Sequence, residues 1–294
     1  MTRRRLQVAL GLLWLLDGAL QLQPFMLGRG FARQNIDPAA TGQPQFVSAP
    51  IHWAANVVAA APVACDVAFA GTQLALGVGL LVPRTARLAL AASIPWALGV
   101  WYVGEGLSGL ASGHASLISG GPGSALLYAL LAVAAWPRTR AWWLPVTWMI
   151  LWLGGAILQV LPGQNTGAAV AQAVGASAHG WIASHGPLVV TALATVEALI
   201  GLGALDRSLR RAAAATGFAL AAAMWIVGQD AGGLASGRAT DPNTGPLLML
   251  MALVVSATSR RPAARMDLRT DTAATETPRS RARRCASSPE RSGS

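Results

Sequence analysis

The chain contains no lysine: all 22 of its basic residues are arginine, set against 12 acids. Charged residues of either sign make up only 12% of its 294 residues, about half the share of an ordinary soluble domain. Cysteine is rarer still. Cys65 and Cys285 stand alone with no CxxC spacing, which argues against a disulfide framework and against a CxxC redox site. No P-loop, no Ser/His/Asp order and no paired-glutamate motif occurs either. These absences remove most soluble enzyme classes.

What is present is apolar. Hydrophobic residues make up 53% of the chain and the mean hydropathy is +0.47. Apolar runs near the length that crosses a bilayer as a helix fall at roughly 7–27, 63–82, 88–107, 122–136, 142–161, 187–205, 211–229 and 245–258. The expectation is an all-α polytopic membrane protein with eight spans. Its first partner is therefore the lipid bilayer.

Arginine placement predicts the orientation. Arg3, Arg4 and Arg5 precede the first run, and alternate short loops carry Arg84 and Arg87, Arg138 and Arg140, then Arg207, Arg210 and Arg211. The intervening loops hold only Arg29, Arg33 and Arg238. Basic residues in short loops mark the cytoplasmic side, so both termini are expected inside. The net charge of +10 is then a topology signal, and no nucleic-acid partner is expected. MTRRR followed by an apolar run imitates a signal peptide, but no small-x-small cleavage site follows. The first helix is expected to be retained.

The sequence repeats itself. WYVGEGLSGLASGHA (101–115) and WIVGQDAGGLASGRA (225–239) agree at nine of fifteen positions, 124 residues apart. QLALGVGLL (73–81) answers EALIGLGAL (197–205) at the same offset, and Gly121-Pro122 answers Gly245-Pro246. LWLLDGALQLQP (13–24) returns as LWLGGAILQVLP (151–162) at an offset of 138. Four runs per half is an even number, so the halves enter the membrane in the same direction as parallel repeats. The predicted domains are residues 1–136 and 142–258, followed by a basic cytoplasmic tail over 259–294. That tail is polar, with nine arginines against four acids, and predicts disorder with a secondary affinity for anionic headgroups.

GEGLSG (104–109) matches a dinucleotide-binding pattern only formally. It ends a membrane helix instead of opening one after a strand, and its copy GQDAGG breaks the pattern. The glycines Gly109, Gly113, Gly233 and Gly237 are expected to pack helices closely, or to form a short re-entrant turn.

Acids in apolar runs are costly and normally face a bundle interior. Asp17 and Glu197 are central to theirs, while Asp66 lies near a helix start where it could snorkel. Glu105 and Asp230 stand at the outer ends of the third and seventh runs. Asp17, Glu197, Glu105 and Asp230, with Gln73, which repeats as Glu197, and Gln229, which repeats Glu105, form the candidate intramembrane polar site. His52, His114, His179 and His185 all fall on the predicted outer side, but their spacing predicts no metal site. Segments 51–62 and 168–184 read as amphipathic pieces at the outer interface, anchored by Trp53 and Trp181.

FAGTQLALGVGLLVPRTARLALA (69–91) and TVEALIGLGALDRSLRRAAAA (195–215) each run from an acid or amide through a Gly/Leu pattern to an arginine-bearing turn. This resembles the DoxX-like family of four-helix bacterial membrane proteins, once per half. The resemblance implies a non-catalytic component of a redox or envelope assembly in the bacterial plasma membrane. A membrane-protein partner or a second copy of the chain would then complete it. The parallel repeats and central acids support an alternative, a transporter or channel for a small solute or protons. A membrane enzyme acting on lipid or quinone is the third reading, and no nucleophile or metal cluster supports it. No cofactor is expected.

Overall fold

A computed structural model of the chain describes residues 1–137, 141–161, 180 and 184–259. The basic tail beyond Ser259, the stretch holding His179 and Trp181, and Arg138 and Arg140 lie outside the described residues.

The described residues are all-α, with no strand. The long helices are α1 (Arg3–Gln21), α2 (Gln45–Ala60), α3 (Pro62–Leu81), α4 (Ala86–Gly99) and α5 (Ser124–Ala135). They continue with α6 (Leu144–Val160), α7 (Gly186–Gly203), α8 (Arg210–Val227) and α9 (Thr244–Ala257). One π-helical turn, Val100–Gly104, extends α4, and the helix stops there. Glu105 therefore stands just beyond the span and not inside it.

Three helical stretches are long and apolar enough to cross a membrane: Pro62–Leu81, Ala86–Gly104 and Gly186–Gly203. α8 joins them if the bent turn beyond it counts as one span. α5, α6 and α9 are apolar but shorter; the 12 residues of α5 reach about 18 Å, against about 30 Å of hydrocarbon. α1 has the length, and its 19 residues include Arg3, Arg4, Arg5 and Asp17.

The surface of these helices is inverted relative to a soluble protein. Leu88 is 73% exposed, Leu199 65% and Leu188 64%, whereas Asp17, Asp66 and Glu197 are at most 1% exposed. Gln7, Gln21, Gln73, Gln159 and Gln229 are buried too. Polar groups inside and aliphatic groups outside is the arrangement a lipid surround stabilises.

Two closed rings of helices result. α1 packs on α3, α3 on α4, α4 on α5, and α5 back on α1. α6, α7, α8 and α9 make the same circuit, and α5 meets α9 between the rings. Glycine lets the first and second members of each ring approach. A β-carbon on Gly77 would lie 2.8 Å from the Gly11 carbonyl oxygen, and one on Gly201 3.1 Å from that of Met149.

That close packing was expected at Gly109, Gly113, Gly233 and Gly237, and it is found elsewhere. Those four residues have φ of 79°, 74°, 64° and 70°, the left-handed region that glycine enters without steric cost. A β-carbon on Gly113 would meet nothing within 4 Å. The repeated phrase encodes two tight turns, and its glycines serve backbone conformation.

A second correction concerns the prolines. Trp101 Nε1–H donates to the Pro122 carbonyl at 2.7 Å, and Trp225 Nε1–H to the Pro242 carbonyl at 2.7 Å. The tryptophans are 124 apart but these prolines are 120 apart, so Pro242, not Pro246, answers Pro122. Between the end of the repeated phrase and the proline, the first half holds Ser116–Gly121 and the second only Thr240 and Asp241. This four-residue difference shapes the candidate site.

Outside the rings, residues 25–60 build a small core of their own around Met26, Ile51 and Ala55. The amphipathic piece expected at 51–62 is part of the longer α2, which breaks at Ala61 before α3. Phe46 and Trp53 project from it, 66% and 69% exposed. At the opposite end arginines close helix C-termini, where cations offset the carbonyl ends of the helix dipole. Arg4 donates to the Leu80 and Leu81 carbonyls, and Arg210 to those of Ala204 and Leu205.

Candidate functional site

Each ring places a glutamine of its first helix against an acid of its second. Gln21 Nε2 donates to Asp66 Oδ1 at 2.5 Å, and Gln159 Nε2 to Glu197 Oε1 at 2.6 Å. The glutamines occupy the same place in the LWLxxxxLQxxP echo. The acids do not, because Gln73 repeats as Glu197 while Asp66 repeats as Val190. Asp66 is thus a buried partner, and the snorkelling expected for it does not occur.

The rings differ most at Asp17 and its counterpart Gly155. In the second ring Leu117, from the loop between α4 and α5, reaches across and fills the space over Gly155. Its Cδ1 lies 2.1 Å from where a β-carbon would stand. The neighbouring Ile118 carbonyl lies against Gly228, and Gln229 Nε2 donates to the Leu117 carbonyl at 3.3 Å. The plug is tied down.

In the first ring the shorter loop presents Asp241, and the space stays open as a cavity of about 440 Å³. Trp14, Asp17 and Gln21 of α1 line it, with Phe69 and Gln73 of α3 and Trp96 of α4. α5 adds Tyr128, and the rim adds Glu105 and Asp241. A wider polar vestibule of about 720 Å³ lies beyond, walled by Arg238, His114 and several glycines and serines. Glu105, Ser124, Thr240 and Asp241 belong to both walls, so the two spaces adjoin there.

Glu105 is held by three donors. Its Oε1 accepts from Ser124 Oγ at 2.6 Å and from the Ala125 N–H at 3.0 Å, and its Oε2 from Ser108 Oγ at 3.0 Å. It caps the first turn of α5, where a negative charge meets the positive end of the helix. Gln229 does the same at α9, accepting from the Gly245 N–H at 3.1 Å. Burial, then the nearby Asp241 charge, pushes the Glu105 carboxyl up to about 7, against the pull of its three donors.

Several buried groups facing the cavity lack a hydrogen-bond partner. They are Asp17 Oδ1, Gln73 Oε1, the Tyr128 hydroxyl and Trp96 Nε1. The Tyr128 hydroxyl lies beside the Asp17 carboxyl, and its ring stacks on Trp14 at 4.3 Å between centroids. The plugged ring carries open atoms of its own, Gln159 Oε1, Glu197 Oε2, Trp148 Nε1 and Trp152 Nε1, so the first ring is set apart by its cavity and not by the number of open atoms.

Of the residues expected to share a polar site, Asp17, Gln73 and Glu105 are brought together. Glu197 and Gln229 belong to the plugged ring. Asp230 is exposed, at a φ of 47° in the outer turn, and joins neither. The described histidines are scattered. His52 Nδ1 lies 2.7 Å from Asp37 Oδ1, His114 walls the vestibule, and His185 precedes α7. Among the described residues no cluster of His, Cys, Asp or Glu could hold a metal ion. Asp241, Tyr128 and Trp96 were not singled out in the sequence. Asp241 sits in a loop, and the two aromatics look like ordinary core.

Comparison with protein families, curated proteins and solved structures finds no match.

Proposed function

We propose that the chain is an eight-span bacterial plasma-membrane protein of two parallel four-helix repeats, both termini cytoplasmic. In this reading the first repeat holds a small-solute site open to the outer side, the binding element of a transporter. The observation that carries it is the cavity at Asp17, buried among helices and sharing Glu105, Ser124, Thr240 and Asp241 with the wall of the vestibule. The two matching helix circuits and the two indole–proline bonds support the duplication. The arginine-capped helix ends support a common cytoplasmic face.

Two parallel repeats with one site kept and one filled is economical for a binder. The filled ring supplies Asp241 to the open one, and the open one supplies Leu117 to the filled one, so neither ring is complete alone. A second reading, a non-catalytic DoxX-like component of a membrane assembly, rests on the Gly/Leu motifs. The exposed Phe46 and Trp53 on α2 offer a surface that a partner could cover.

The test has two arms. Reporter fusions after Pro137 and after Asp206 should read cytoplasmic. In a cysteine-free background, Val103→Cys, in the cavity wall, should react with a membrane-impermeant thiol reagent added from outside. An external reporter signal at Pro137, or an inert Val103→Cys, overturns the reading.

A further inference from the structure

We infer that the cavity takes a small organic cation, a protonated amine on a compact, mainly apolar body. The inference rests on the proposed outward-open site and names its ligand class.

Charge selects the sign. Asp17, Glu105 and Asp241 line the cavity, and none of the described lining residues is Arg, Lys or His. Arg238 walls only the vestibule, where its guanidinium stacks over the Phe25 ring at 4.8 Å. An anion would enter a space whose described wall offers acids and no base, and burying it without a counter-charge costs several kcal/mol.

Unpartnered atoms select the group. Asp17 is 1% exposed and Gln73 8%, and each offers the cavity an acceptor oxygen with no donor: Asp17 Oδ1 and Gln73 Oε1. An alkylammonium supplies up to three donors and needs no acceptor. A bare metal ion would want three or more oxygen or nitrogen ligands converging, and no such cluster exists among the described residues. An ammonium needs only the two acceptors present.

The aromatic walls select the body. Trp14 stacks with Tyr128, and Phe69 lies 5.9 Å from Trp96. Ring faces attract a cation by about 0.5–2 kcal/mol each and bury its hydrocarbon as well. Trp96 Nε1 remains as a donor for one acceptor on the body, such as a hydroxyl, while the Tyr128 hydroxyl faces the Asp17 carboxyl. The volume of about 440 Å³ falls in the range of pockets that hold small organic molecules.

Tyramine has these features, and tyrosol is the same molecule with a hydroxyl in place of the amine. The full chain in lipid nanodiscs should bind radiolabelled tyramine saturably at neutral pH. Unlabelled 2-phenylethylamine should compete, and tyrosol should compete at least about tenfold more weakly. Asp17→Asn should weaken tyramine by a similar factor, while Glu197→Gln, in the plugged ring, should bind like the parent. Tyrosol competing as well as the amine, an unchanged Asp17→Asn, or no saturable tyramine binding overturns the inference. The wild-type competition needs no variant to fold. Reaction of Val103→Cys from outside, together with failure to bind tyramine, leaves the open site standing and removes only the cation.

Discussion

Leu117 Cδ1 stands 2.1 Å from the point where Gly155 would carry a β-carbon, so these two residues, 38 apart in sequence and from different halves, share one volume. Glycine at 155 is what admits the leucine. Gly155→Ala should force Leu117 out of its seat and destabilise by about 1–3 kcal/mol. Leu117→Ala should leave a void and cost about 2–5 kcal/mol. Made together, the alanine methyl occupies part of the void, and the double variant should be at least about 1 kcal/mol better than additivity. Thermal melts of the four proteins in one detergent measure this, and strict additivity would separate the two residues.

Glu105 gives a pH signature. Its folded carboxyl is raised from an ordinary 4.5 to about 7, so the folded chain holds that proton more tightly than the unfolded chain. The contribution is therefore most favourable below about 4.5 and is lost as the pH rises to about 7. Facing it are Asp241, whose charge opposes ionisation, and the donors Ser124, Ser108 and the Ala125 N–H. Glu105→Gln should keep the helix cap, as Gln229 does at α9, and should melt with a flatter pH dependence across that window. An identical pH dependence in parent and variant would contradict the assignment.

Glu197 can now be separated from Asp17. It is fully buried, its partner is Gln159, and it lines no cavity described here. Glu197→Gln keeps an oxygen to accept from Gln159 and should melt like the parent. Glu197→Leu leaves the Gln159 amide without that acceptor and should cost about 1–3 kcal/mol. A loss in the Gln variant as large as in the Leu variant would show that the acid itself is needed there.

Much of the fold was legible because hydropathy reads burial in lipid directly. The all-α class, the apolar runs and the inward acids follow from that one pattern. The GxxxG reading failed for a physical reason. Spacing alone cannot tell a glycine that lets helices touch from one that permits a positive φ, and Gly109 and Gly233 are the second kind, whereas Gly11, Gly77 and Gly201 are the first. The proline echo failed because Gly-Pro also occurs at 245–246, and only the indole hydrogen bonds reveal which proline is equivalent. At the site, Asp17, Gln73 and Glu105 stood out as polar residues in or at the edge of apolar runs. Asp241 and Leu117 did not, since each acts across the boundary between the halves. No local pattern encodes that crossing.

The central claim is that one ring is open to the outside and the other is plugged, and the repeated pair Gln73 and Glu197 tests it most directly. In a background without Cys65 and Cys285, each position is changed to cysteine and exposed to a membrane-impermeant methanethiosulfonate added from outside. Gln73→Cys should react and Glu197→Cys should stay unmodified, until Leu117→Ala removes the plug and lets it react. Equal reactivity at the two positions, or reaction at Glu197→Cys with Leu117 intact, would contradict the account.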